Sequence, residues 1–120
     1  MKVIYIAGKF SAPDQWQRAR NIRAAENMAF GVACMGAMPL NPLANTGNFF
    51  GTLTEEFWYE GTLELLKRCD AMILVPGWED SKGVREEIRY AHGANLPIFN
   101  RVDELKTWLV EMMEREAYGG

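Results

Sequence analysis

Five consecutive apolar residues, Ala71-Met72-Ile73-Leu74-Val75, run through this chain with Asp70 before them and Pro76-Gly77 after. A strand with one solvated face alternates polar and apolar positions, whereas an unbroken apolar run is buried on both faces. Such a run belongs in a parallel sheet that carries helices above and below it.

The flanking segments supply those helices. Residues 2–7 (KVIYIA) read as a β-branched first strand closed by Gly8. A long helix opens at Pro13-Asp14 with Asp14 as its N-cap, and Ala25, Met28, Ala29, Val32 and Ala33 recur at helical spacing up to a stop at Gly36. Residues 37–40 form a short second strand cut off by prolines. Residues 41–52, rich in Asn, Gly and Thr, lack periodicity and read as a long loop. Phe49 and Phe50 within it either tuck onto the core or cover a planar ligand. Residues 54–68 form a second helix and a third begins near Ser81. Residues 96–99 make a last strand, and 103–116 a final helix with Leu105, Trp108, Leu109, Met112 and Met113 on one face. The alternation βαβαβαβα predicts a doubly wound, flavodoxin-like α/β fold. It has four or five parallel strands in the order 2-1-3-4, with helices on both faces.

With 120 residues, 48% hydrophobic and 24% charged, the chain is expected to form one domain over residues 1–116, with 117–120 fraying. A net charge of -3 without a basic run speaks against a nucleic-acid partner. No apolar stretch reaches the length of a membrane span and the N-terminus lacks the form of a secretory leader, so a cytoplasmic protein with no membrane partner is expected. Cys34 and Cys69 lack metal-ligand spacing and sit among apolar residues, as core thiols do. His92, the single histidine, has no acidic cluster beside it. A Walker lysine motif and a GxGxxG are missing as well, so neither a metal nor a cofactor is expected.

In an open α/β sheet, ligands bind outside the carboxyl ends of the strands where the strand order reverses, here between the first and third strands. Residues 5–11, 41–52 and 78–87 converge there. The first segment brings the amides of Gly8, Lys9 and Phe10, the Lys9 ammonium and the Ser11 hydroxyl. The last brings Ser81, Gly83 and the free amides of a helix start, which suit an anion. Two carboxylates follow, and angle separates them. At ~100° per residue, Val84, Ile88 and Ala91 face the sheet, while Glu86 points nearly opposite and can pair with Arg89. Glu87 lies about 60° from Val84, on the side of Gly83. A carboxylate at that edge is partly desolvated, which raises its pKa. Glu87 therefore either borders the core with its head in water or has a chemical task. Beside an anion-binding crevice, a glutamate fits a phosphorylated sugar, whose anomeric carbon a carboxylate can attack. Tyr5 on the adjacent strand either fixes the rotamer of Glu87 or is an amphipathic strand residue with its hydroxyl at the surface.

MKVIYIAG at the start, RCDAMILVPGWEDSKG with REEIRYA, and a following LPIF resemble the nucleoside 2-deoxyribosyltransferase-like superfamily over residues 1–109, most closely its short phage and bacterial branch. The resemblance implies a flavodoxin-like fold and a glutamate nucleophile at the end of Gly83-Val84-Arg85-Glu86-Glu87, hence Glu87. It implies that Tyr5 orients this glutamate and that the turn of Gly8, Lys9, Phe10 and Ser11 meets the substrate. Ser81 stands where the transferases usually carry aspartate; serine there is similar to the deoxynucleoside 5′-monophosphate N-hydrolases, which turn it toward the 5′-phosphate. Two positions depart from the pattern. Gly61 and Thr62 occupy the register where members often have an aspartate that assists the departing base, and Lys9 replaces a common proline. Asp80, one residue before the helix cap, is placed to stand in as the acid. Asp70, at the start of its strand, fits a capping role. Trp78 either stacks on a base or closes its loop.

The resemblance thus implies an N-glycosidic-bond enzyme, hydrolase or transferase, acting on a nucleoside or nucleoside 5′-monophosphate. It implies a homo-oligomer, with Phe57-Trp58-Tyr59 either at the interface or, for Phe57, in the core. The rival reading is a non-catalytic nucleotide-binding module that keeps the pocket but lacks the base-side acid.

Overall fold

The computed structural model describes residues 1–49 and 51–119. Strands β1 (Val3–Ala7), β2 (Met38–Leu40), β3 (Ala71–Leu74) and β4 (Ile98–Phe99) form one parallel sheet in the order β2-β1-β3-β4. This is the expected order, with no fifth strand among the described residues. The helices are α1 (Gln15–Cys34), α2 (Pro42–Thr46), α3 (Glu55–Lys67), α4 (Lys82–Gly93) and α5 (Val102–Ala117).

Alternation along the strands divides the interior into two cores. Ile4, Ile6, Ala71 and Ile73 point to one face, where they meet Ala25 and Val32 of α1 and Leu105 and Leu109 of α5. Tyr5, Ala7, Met72 and Leu74 point to the other, under Leu66 of α3 and Val84 and Ala91 of α4. All four residues of β3 are buried, as an apolar run without alternation requires.

The helix starts follow local chemistry. Asp14 accepts a hydrogen bond from the Gln17 amide (2.8 Å) and Thr54 one from the Phe57 amide (3.1 Å), each satisfying a donor that the first turn leaves open. Gly77, at φ +96°, turns the chain out of β3 in a left-handed conformation that residues with a Cβ rarely adopt. Asp70 caps β1 from below: its amide donates to the Val3 carbonyl and its Oδ2 accepts from the Val3 amide, both at 2.8 Å.

Several expectations need correction. Residues 41–52 are not a loop throughout: they contain α2 and a 3₁₀ turn, Gly47–Phe49. Pro42, read as a strand breaker, is also a good first residue for a helix, because its fixed φ suits the turn and its missing N–H has no role there. Phe50 lies outside the described residues, as does Gly120 in the segment expected to fray. Cys34 is exposed rather than in the core. It lies two residues past Val32, about 200° around α1 from the stripe that faces the sheet. The fourth strand has two residues rather than four, since Pro97 has no N–H for the ladder, although its carbonyl accepts from Met72 (2.9 Å). No helix among the described residues is long and apolar enough to cross a membrane.

Replacing Asp70 with alanine leaves the Val3 amide without its acceptor. The expected cost is about 1–2 kcal/mol of folding stability, read as a lower urea midpoint at an unchanged slope.

Candidate active site

β1 and β3 are neighbours, and their chains leave the sheet in different directions. Between their carboxyl ends lies an open cleft of about 430 Å³. Gly8, Lys9, Phe10 and Ser11 line one side, Asp80, Ser81, Lys82 and Gly83 another, and Glu87 lines it from α4.

Glu87 is 9% exposed and is the one buried charged residue among those described. The helix places it there: Val84 and Ala91, about one turn to either side, are buried against the sheet and hold this stripe of α4 down. Its Oε2 has no hydrogen-bond partner. Burial raises the carboxyl pKa from 4.5 to about 7, an effect that the neighbouring Tyr5 phenol partly offsets. Tyr5 itself is fully buried, so its hydroxyl is not at the surface. It is packed in the core under α4 rather than in the cleft wall, and its hydroxyl also lacks a partner at hydrogen-bonding geometry. Burial first, and then the charge of Glu87, push the phenol well above its ordinary range.

Ser81 serves two purposes. Its Oγ accepts from the Val84 amide at 3.2 Å and so caps α4. The hydroxyl hydrogen remains available to an acceptor in the cleft. The amides of Lys82 and Gly83 precede the first intrahelical bond, and the cationic residues Lys9 and Lys82 are both part of the lining. This end of the cleft is built for negative charge. Gly8 is closely packed: a Cβ there would lie 3.3 Å from Val75 Cγ2, which would have to give by a few tenths of an ångström, and at ordinary contact, 3.5 Å, from Ala25 Cβ. Asp80 is exposed at the rim.

Trp78 does not line the cleft. Its indole Nε1 donates to Asn100 Oδ1 (3.2 Å), so it closes the loop. From the other side the Arg85 guanidinium donates to the Glu79 carbonyl (2.6 Å), and the turn that carries Asp80 and Ser81 is held at both ends.

Sequence reasoning missed the outer walls. Pro42, Leu43 and Thr46 of α2 and Tyr59 and Thr62 of α3 also line the cleft. Tyr59 and Thr62 sit one turn apart on α3, a spacing visible in the sequence but ambiguous without knowing which helix lies opposite. The Thr62 hydroxyl donates to the Trp58 carbonyl (2.8 Å), and Glu64 is engaged with Arg68 (3.1 Å), so neither is an acid facing the cleft. Beyond Tyr59 the cleft continues into a second lobe of about 630 Å³ between α3 and α4. Glu86 lines this lobe and makes no ion pair with Arg89, contrary to expectation. The flank of α4 turned away from the sheet faces α3 rather than open solvent. Among the described residues no three His, Cys, Asp or Glu side chains are placed to hold a metal ion.

This architecture is that of the 2-deoxyribosyltransferases. The enzyme of the psychrotolerant bacterium Bacillus psychrosaccharolyticus superposes with a TM-score of 0.59 at 19% identity, covering 80% of this chain and 69% of that one. The 2-desoxiribosyltransferase of Leishmania mexicana superposes at 0.58 and 20% identity, covering 82% and 62%. The present chain thus spans about two thirds of the length of each. No curated protein matches it by sequence. The chain belongs to the family described as "Domain of unknown function (DUF4406)", which matches residues 2–100.

The raised pKa of Glu87 has a thermodynamic consequence. The folded state holds this proton more tightly than the unfolded chain, so the contribution to stability is complete below the ordinary value of 4.5 and lost as pH rises through about 7. Glu87→Gln, which never ionises, is expected to exceed the wild type in stability by roughly 3 kcal/mol at pH 8. That gain should vanish near pH 4 in thermal melts across the range.

Proposed function

We propose that this protein acts on the N-glycosidic bond of a nucleoside or nucleoside 5′-monophosphate, with Glu87 as the nucleophile. The observation that carries the reading is a carboxylate, nine-tenths buried, that lines a cleft whose other end is built for an anion. The anionic 5′ end sits at Ser81, the Lys82 and Gly83 amides and the turn of Gly8 to Ser11. The sugar then lies over Glu87. A carboxylate oxygen forms a bond to C1′ as the bond from C1′ to the base nitrogen breaks, and the base leaves with that electron pair. The departing base takes its proton from water in the open cleft, since Asp80 stands at the rim beside Ser81, at the anionic end. Water then attacks C1′ and releases the sugar, or a second base does so and completes a transfer. Tyr5 positions Glu87 and, by partly offsetting the effect of burial, keeps more of it ionised at neutral pH. The fold shared with 2-deoxyribosyltransferases is consistent with this chemistry.

A second reading has its own observation. Thr62 turns its hydroxyl to the Trp58 carbonyl, so α3 offers no acid at that position, and the protein would then bind nucleotides without cleaving them.

Incubation with the common ribo- and deoxynucleosides and their 5′-monophosphates, with free base followed by chromatography, separates the two. Base release is expected, falling on the order of 10³-fold or more in Glu87→Ala. Binding without release by the wild type would favour the non-catalytic module. Because the reacting form of Glu87 is ionised, kcat/KM should rise as pH passes through about 7. Tyr5→Phe removes the neighbouring phenol that offsets burial and should move that rise to higher pH.

A further inference from the structure

The second lobe differs in chemistry from the first. Glu55, Tyr59 and Thr62 lie on one side of α3 at i, i+4 and i+7, and Gly83 and Glu86 lie opposite them on α4. Three carboxylates, Glu55, Glu56 and Glu86, thus share a lining with one ammonium group, Lys82. They are spread along the wall and do not converge as metal ligands. The rest is uncharged, with three aromatic rings among glycines, hydroxyls and leucines. Phe10, Trp58 and Tyr59 line the lobe, and Phe49 stacks on Trp58 at 5.7 Å with 15° between the rings.

Glu86 matters most among the three. It is half-buried and has no ion pair among the described residues. Its carboxylate neighbours the Tyr59 hydroxyl, whose pKa is raised by burial and then by Glu86. The second observation lies in the adjoining lobe, which is lined by Glu87, nine-tenths buried, and shares Phe10, Ser11, Tyr59, Thr62, Lys82 and Gly83 with this one. An occupant lying over Glu87, with its anion at Ser81, extends its other end past Phe10 and Tyr59 toward these carboxylates.

Ionised carboxylates only accept hydrogen bonds. An exocyclic amino group on a planar ring donates to them, whereas a ring carbonyl at the same place brings acceptor against acceptor. We infer that the second lobe selects nucleobases carrying an exocyclic amino group, of the adenine or cytosine kind, over their keto counterparts, with Glu86 as the specificity-determining residue. This rests on the nucleotide reading above and adds the substrate class to it.

Matched 5′-monophosphates test it: dAMP against dIMP and dCMP against dUMP, titrated into the full chain by calorimetry, with free base followed in the same samples. The amino member of each pair is expected to bind about tenfold or more tightly. Glu86→Gln, which replaces an acceptor-only group by one that also donates, should reduce the preference to about twofold. Equal affinity within both wild-type pairs, or a preference for the keto member, overturns the inference and leaves the nucleotide reading standing. So does an amino preference unchanged in Glu86→Gln. If no nucleotide binds at all, both fall together.

Discussion

The stripe of α4 that packs on the sheet has to include position 87, and most of what sets this site apart follows from that constraint. Val84 and Ala91 are buried against Tyr5, Met72 and their neighbours, and Glu87 lies between them on the same side of the helix. A leucine in such a place would contribute about 1.5–3 kcal/mol by burial. A carboxylate does the reverse whenever it is ionised. Sheet and helix must therefore be stable enough elsewhere to hold a group that their own packing disfavours. Two cores, one on each face of a strand pair with no solvated side, supply that reserve.

Much of this was legible in the residues. The unbroken run from Ala71 to Val75 implied a strand covered on both faces, and the two helix layers follow from it. The angular separation of Glu86 from Glu87 identified which carboxylate would be driven inward, because the period of a helix is a property of the chain itself. Ser81 was legible for the same reason, since an N-cap is defined by a hydrogen bond three residues long. What could not be read depends on which element faces which. The flank of α4 bearing Glu86 looked solvated, and only the approach of α3 makes it a wall. Residues 41–52 looked irregular because Pro42 can end one element or begin another. Cys34 looked apolar in company and proved exposed, since neighbours in sequence on a helix point in different directions.

At 19–20% identity the 2-deoxyribosyltransferases share the sheet order and helix layers, and a fold of this kind can carry many chemistries. What the cleft can hold is set by the side chains that line it. Lys9 and Lys82 stand in one lining with Ser81, and Thr62 turns its hydroxyl back to the Trp58 carbonyl of its own helix. Charge at such positions decides which molecule fits while leaving the frame intact.

The turn from Trp78 to Ser81 is bonded forward to α4 through Arg85 and across to the end of β4 through Asn100. Loops that meet ligands are often loose, and binding must then overcome the entropy of ordering them. Here the donors at the Ser81 end stand assembled before anything arrives. Affinity at that end therefore reports the quality of contact rather than the work of gathering a segment. Asn100, on the far edge of the sheet, thereby shares in the shape of a cleft that it does not touch.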